Sequence, residues 1–444
     1  MQKKITKLVG LSKEEFDSFV ETGQIRLRNA RLIPLYKAGD ELAQTSIFLS
    51  TLRLVKEMRD AVFHETKISK AGTAYFYTEV SIPEIDDKSR MDGLVITVSA
   101  GKIKDAAFFE MKNKTDVVDA AQIERYQALA KKIGVTKLVT VSNEFVADSS
   151  ISPVEYKRLK NFDTYHFSWT YILTIAHLLL IENDNNIEDE DQIEIMKEVV
   201  KYLESKETGV SGFHQMKPSW KNVVEKVISG AALKESDPEV NDAVLSWHQE
   251  EKDMALMLSR ELGVLVNTSS SKKKDHSVIL KSSVKSLIKS HTLTSILKVK
   301  GSVSDIEIDA LFDRRAINMS VSVDAPLDKG FKGRCSWIIK QLEYCGKKEA
   351  ESFEIIKTEL WVEVGFKFTN KTEMFKYSEL QNIHELEKDK EITYFRIMAS
   401  KDIGKGFSSS KKFVEIIEDM LITYYKSIVQ NLSNWERPAP KILE

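Results

Sequence analysis

Apolar residues recur along this chain in two rhythms, one near four residues and one of two, and the switches between them mark its elements. From Glu41 to about Val62 the positions Leu42, Ile47, Phe48, Leu52, Val55 and Met58 predict a helix. The run Phe108-Phe109-Glu110-Met111-Lys112 reads as the end of a strand. Successive strand residues face opposite sides, so Glu110 and Lys112 point one way while Phe109 and Met111 point the other. Thr115-Asp116 can cap a helix from about Val117 to Lys132, with Val118, Ala121, Leu129 and Ile133 on its apolar stripe. Gln122 and Tyr126 are one turn apart on that helix and share a face. Gly134 ends it, and Val135-Thr136-Lys137-Leu138-Val139-Thr140-Val141 reads as the next strand. Strand, hairpin, strand, helix and strand in this order predict an α/β unit with charged residues gathered at a strand end.

Beyond residue 150 the pattern turns helical. Tyr165-His166-Phe167-Ser168-Trp169 supplies a further strand or begins an apolar helix ending near Ile181. An acidic loop from Glu182 to Asp191 leads into a helix of about Gln192 to Ser205. Lys217-Pro218-Ser219-Trp220 and Asp237-Pro238-Glu239 each start another, the second reaching Leu262-Gly263. The polar stretch from Asn267 to Asp275 reads as a linker. After it come strand-like runs at 306–310, 317–323 and 360–368, a helix around Cys335 to Tyr344 and a last helix from about Lys411 to Leu432. The division expected is an N-terminal cap at 1–30, an α/β core at 31–150, a mainly helical extension at 151–266 packing on that core, and a separate α+β domain at 276–444.

With 444 residues the chain is long for one core, in keeping with several domains. Its 30% charged and 42% hydrophobic residues describe a folded globular protein. The formal net charge of −2 does not advertise a polyanion partner, so any surface for one must be local. Two cysteines, Cys335 and Cys345, are too few for a disulfide framework or a zinc site and fit a reducing compartment. The first residues lack the apolar core of a signal peptide, and the greasiest stretch, Trp169 to Ile181, is too short to span a bilayer. A cytosolic (cytoplasmic) location with no membrane contact is expected.

The candidate chemistry lies in Arg90-Met91-Asp92-Gly93-Leu94 and Glu110-Met111-Lys112. Two carboxylates and an ammonium converging on one spot are poor core material, because unpaired buried charge is costly. They suit a site that holds a divalent cation and activates water against phosphate. Asp92 and Glu110 would bind the metal, and Lys112 would orient or deprotonate the water.

Together with Gln122-Ile123-Glu124-Arg125-Tyr126, these residues resemble the motifs of the restriction-endonuclease-like superfamily, written PD-(D/E)xK. The Gln-x-x-x-Tyr helix resembles the branch that includes helicase-associated exonucleases. The resemblance covers roughly residues 30 to 145, and Met91 stands where the motif has proline. It implies a mixed central sheet flanked by helices, Mg²⁺ (Mn²⁺ as a substitute) and hydrolysis of DNA. It also implies a further acid on the helix before the first core strand, best matched by Glu41, which would complete the metal shell or support a ligand. Gln122 and Tyr126 would brace the site or contact the backbone. Many relatives act in restriction, repair or defence against phage, and the C-terminal domain would supply target recognition, regulation, oligomer contacts or a partner-protein surface.

Each of these residues also has a plainer role open to it. Asp92, Glu110 and Lys112 could form a surface salt-bridge cluster, and Glu79, Glu84, Asp86 and Asp87 lie close enough to compete as ligands. Glu41 could simply complement a helix dipole. Gln122 and Tyr126 could be the polar edge of an amphipathic helix. Lys114 is a solvated lysine or a phosphate contact. The lysine-rich stretch from Lys272 to Lys300 is a phosphate-neutralising surface or a solvated linker and helix face. Gly404-Lys405-Gly406 lacks P-loop spacing, and His64-Glu65 lacks the second histidine of a metalloprotease helix. The alternative function is a nucleic-acid-binding or assembly module in which the same fold no longer catalyses.

Overall fold

A computed structural model of the chain describes residues 7–30, 32, 37, 39–146, 148–181, 187–268, 276–386 and 391–437. They fall into two compact units, Met1–Phe213 with Ser259–Val264, and His214–Leu258 with Leu265–Glu444. Each combines helices with its own sheet, so the chain is mixed α/β.

The first unit holds a six-stranded sheet in sequence order: β1 (Arg26–Asn29), β2 (Thr73–Ile82), β3 (Asp86–Ser99), β4 (Lys102–Met111), β5 (Lys137–Ser142) and β6 (Asp163–Ser168). β1 to β4 are antiparallel, whereas β5 runs parallel to β4 and β6 parallel to β5. One face is covered by α2 (Glu41–Leu54), α3 (Lys56–Thr66), α5 (Trp169–Ile181) and α6 (Glu190–Glu204), which bury Phe109 and Met111. The other is covered by α1 (Lys13–Glu21) and α4 (Ala120–Ile133), which bury Leu94, Ile96 and Phe108. Burying both faces explains why β4 ends in six consecutive buried residues.

Three local expectations change. The helix expected from Glu41 to about Val62 is two helices, because Val55 adopts an extended backbone at φ −108° and ψ 108°. Its N–H still closes α2 on the Thr51 carbonyl, while its own carbonyl accepts the Arg59 N–H and opens α3. No glycine or proline marks this break, and the Val55 side chain is fully buried at it. α4 is capped by Asp119, whose carboxylate accepts from the Ala121 and Gln122 amides, and not by Thr115-Asp116. Tyr165–Trp169 supplies both a strand end and a helix start.

α7 (Pro218–Ile228) and most of α8 (Pro238–Leu262) belong to the second unit, which divides the extension expected at 151–266. The Trp220 indole donates to the Phe407 carbonyl at 2.8 Å and packs against Trp247, Phe312 and Phe413. The second sheet has seven antiparallel strands in the order Thr372–Lys376, Leu360–Phe366, Ile392–Asp402, Ala316–Asp324, Ile306–Leu311, Thr292–Lys298 and Asn267–Thr268. Of the linker expected at 267–275, Asn267 and Thr268 therefore form an edge strand, while 269–275, with Lys272, Lys273 and Lys274, lie outside the described residues. Lys281, Lys285 and Lys289 are exposed on the helix His276–Ser290. Cys335 and Cys345 are buried free thiols. Among the described residues no helix is long and apolar enough to cross a membrane.

Gly93 sets how closely α2 approaches the sheet. A Cβ there would stand 2.7 Å from Leu49 Cδ1 and 3.0 Å from Phe109 Cβ. Gly93→Ala should therefore destabilise the first unit by about 1–3 kcal/mol through overpacking. Denaturant unfolding followed by tryptophan fluorescence measures this, and an unchanged midpoint would show that α2 yields freely.

Candidate active site

The site forms where β4 ends beside the first turns of two helices. Lys112 follows the last residue of β4, and its amide donates to the Val141 carbonyl of β5 at 2.8 Å, so it continues the ladder by one step. Glu110 and Lys112 consequently share the α4 side of the sheet, opposite Phe109 and Met111. Gln122 lies in the first turn of α4 and Glu41 is the first residue of α2. Helix N-termini carry unpaired N–H groups and partial positive charge, which favour anions there.

Glu110 is the centre. It is 2% exposed, and its Oε1 accepts from Lys112 Nζ at 2.6 Å and from Gln122 Nε2. Among the described residues its buried Oε2 has no hydrogen-bond partner. Lys112 Nζ also reaches Glu41 Oε1 at 4.0 Å. Gln122 Nε2 donates to Tyr126 Oη at 3.0 Å, and Tyr126 Oη donates to the Arg90 carbonyl at 2.9 Å. Asp92 Oδ2 accepts from the Met111 amide at 2.8 Å. All six residues singled out in the sequence thus gather at one end of the sheet.

Their charges do not balance: three carboxylates surround one ammonium. Burial, followed by repulsion from Glu110, holds the Asp92 carboxyl well above the usual carboxylate range, despite the opposing Met111 hydrogen bond. Burial also raises Glu41, with the Lys112 charge offsetting only part of it. For Lys112, burial works against the ammonium, but Glu110, Glu41 and Asp92 outweigh it and push the pKa up. Burial and the Glu110 charge keep the Tyr126 phenol protonated.

The competing acids are engaged elsewhere. Glu79 pairs with Arg28 and Arg90, Glu84 accepts from Gln24, and Asp86 accepts from Ser89; the Asp87 side chain lies outside the described ones. Lys114 is exposed, in the left-handed region at φ 51°. Several supporting residues were not singled out in the sequence. Asn113, directly after Lys112, donates to the Gly39 carbonyl at 2.8 Å and fixes the approach to α2. Gly39 has φ +82°, and a Cβ there would lie 2.0 Å from the Glu207 carbonyl oxygen. The Trp169 indole donates to the Lys112 carbonyl at 2.8 Å, a contact across 57 residues that no local signal announces.

The donor set is all carboxylate oxygen, which suits a hard divalent cation such as Mg²⁺ or Mn²⁺. Glu110 Oε2, Asp92 and Glu41 are the groups that could hold one. As they stand, no three acid, histidine or cysteine side chains among the described residues converge closely enough to do so. The Lys112 ammonium pairs with Glu110 there instead.

Because the native state holds the Asp92 proton more tightly than the unfolded chain does, stability falls as pH rises from the ordinary carboxylate value through the raised one. Asp92→Asn removes that loss while keeping an acceptor for the Met111 amide. In EDTA the variant should melt higher than wild type at neutral pH, and the gain should shrink toward zero as the pH falls to the ordinary carboxylate range, about 4. A gain that grows on acidification would contradict the assigned cause. No family model, curated protein or solved structure matches this chain.

Proposed function

We propose that the chain is a metal-dependent nuclease of the PD-(D/E)xK superfamily, Gln-x-x-x-Tyr branch, which hydrolyses phosphodiester bonds in DNA. The observation behind this is the gathering of Asp92, Glu110, Lys112, Gln122, Tyr126 and Glu41 around one buried, half-satisfied carboxylate. The antiparallel strands β2 to β4, followed by α4 and a strand parallel to β4, support a restriction-endonuclease-like core. A role in restriction or defence against phage goes with that reading, with the second unit serving recognition, regulation or self-association.

Asp92 and Glu110 would hold Mg²⁺ or Mn²⁺, with Glu41 assisting. When bound, the ion would draw charge from the scissile phosphate and acidify the attacking water. The chain's own residues prepare the rest. Lys112 and Gln122 engage Glu110 Oε1 and, among the described residues, leave Oε2 uncommitted. An ammonium with a raised pKa is a poor base, so Lys112 positions the water and shares developing negative charge. Tyr126 remains a neutral phenol and, through the Arg90 carbonyl, locks α4 to the strand carrying Asp92.

The binding-module alternative draws on one observation, that the carboxylates are not gathered at metal-holding distances. Two measurements separate the readings. Incubation with linear, closed-circular and single-stranded DNA should give cleavage with Mg²⁺ or Mn²⁺ and none in EDTA, and Lys112→Ala should lower the rate by on the order of 10²-fold or more. Mg²⁺ should also raise Tm in wild type and not in Asp92→Ala, since saturation at a hundred times Kd stabilises by about 2.7 kcal/mol. DNA binding indifferent to metal and to both substitutions, with no cleavage, would favour the binding module.

A further inference from the structure

Directly after Lys112 the chain makes a turn whose backbone is strained at one exposed residue. The Asp116 amide donates to the Asn113 carbonyl at 2.9 Å, and Lys114 between them has φ +51°. That left-handed conformation is unfavourable for a side chain other than glycine, asparagine or aspartate. The surroundings hold the lysine in it. Asn143, just past β5, donates through Nδ2 to the Lys114 carbonyl at 2.8 Å and to the Gly209 carbonyl at 2.7 Å. Its Oδ1 accepts from the Ser211 amide at 3.4 Å. Gly209 leaves room for the lysine stem, since a Cβ there would stand 2.6 Å from Lys114 Cγ. Among the described residues the Lys114 ammonium forms no ion pair, whereas Lys112 is engaged with Glu110. Burial chiefly raises the Glu41 pKa, and Glu110 and Asp116 add to it, so the turn stands beside the carboxylates. Solvating a lysine requires neither a strained backbone nor a cleared seat. Strain of this kind persists where the surrounding structure enforces it, and it concentrates at sites that hold ligands.

We propose that Lys114 binds a backbone phosphate of the nucleic-acid strand that enters the candidate active site. An ammonium is a compact charge with three donors on a flexible stem, so it can follow a phosphate without fixing its orientation. Tying down the carbonyl and seating the base of the stem reduce the freedom that this side chain loses on binding. The location fits. Lys114 is two residues past Lys112, at most about 7 Å along the chain. Nucleotides rise about 3.4 Å each in a duplex strand, so a phosphate at Lys114 sets one a step or two along against the carboxylates. The inference rests on the nuclease reading for the strand's destination, but binding at Lys114 can be tested without catalysis.

The experiment is fluorescence anisotropy of labelled single-stranded and duplex DNA of one sequence, in EDTA, over a salt range of roughly 50 to 200 mM. Wild type is compared with Lys114→Asn, which removes the charge and tolerates the left-handed backbone. Lys102→Gln removes the same charge from an exposed position at the opposite end of β4 and serves as control. Losing one phosphate contact should flatten the plot of log affinity against log salt by about 0.9 for duplex, or about 0.7 for single strands. The control should follow wild type, and Lys114→Arg, which keeps the charge, should recover most of the slope. Lys114→Gly relieves the backbone, so it should melt at or above the wild-type Tm while binding as weakly as Lys114→Asn. Circular dichroism shows that each variant is folded. Three results would overturn the proposal: equal slopes in wild type and Lys114→Asn, an equal loss in the control, or a Lys114→Gly protein that melts lower and binds like wild type. If wild type cleaves DNA while folded Lys114→Asn binds and cleaves as well, the phosphate contact fails and the nuclease stands. If binding depends on Lys114 but wild type never cleaves, the contact stands and the nuclease reading fails. No binding of either probe by wild type overturns the contact and leaves the nuclease reading to its cleavage assay.

Discussion

A carboxylate that is removed from water must be given partners, and the first unit is organised around that requirement at Glu110. Its partners come from different parts of the chain: Lys112 from the end of its own strand, Gln122 from α4. Through Gln122 the same network reaches Tyr126 and the Arg90 carbonyl of β3. Asn113 and Trp169 then hold the backbone around Lys112 against the approach to α2 and the start of α5. Hydrogen bonds at this buried charge and at the residues beside it thereby tie together two strands and three helices.

Among the described residues the network is satisfied only on one side. There Glu110 Oε1 accepts two hydrogen bonds while Oε2 accepts none, and Asp92 and Glu41 crowd in with raised pKa values. A fold selected for stability alone would favour an apolar replacement for such a cluster. Local violations of this kind concentrate where a protein uses charge for chemistry, and the surrounding apolar packing supports them. Here that support is considerable: Phe48 packs edge-on against Trp169 at 5.8 Å and against Phe109 at 6.5 Å, directly behind the site. Two helix N-termini add a favourable field for negative charge at the same place.

Much of this was legible in the sequence because it follows from local periodicity. The strand rhythm of Phe108 to Lys112 set Glu110 and Lys112 on one side, and helical spacing put Gln122 and Tyr126 on one face. Boundaries were less legible. The Val55 break has no glycine or proline to announce it, and Asp119 competed with Thr115-Asp116 as a cap of equal local quality. The helical stretch from 151 to 266 looked uniform, yet Trp220 and Trp247 find their partners at Phe312, Phe407 and Phe413. Composition cannot reveal which core an amphipathic helix will join.

By itself the sequence determined which side chains could meet across one strand or one helical turn, since those distances are set by backbone geometry. Only the tertiary structure decided which of several nearby acids stay with the lysine. Glu79, Glu84 and Asp86 were as near in sequence to Asp92 as any ligand need be, but a positive φ at Glu79 and partners at Arg28, Arg90, Gln24 and Ser89 engaged them elsewhere. It alone set the pKa values as well, because burial and the sum of neighbouring charges depend on chain segments far apart in sequence. Local spacing is a property of a few bonds, whereas desolvation is a property of everything packed around them.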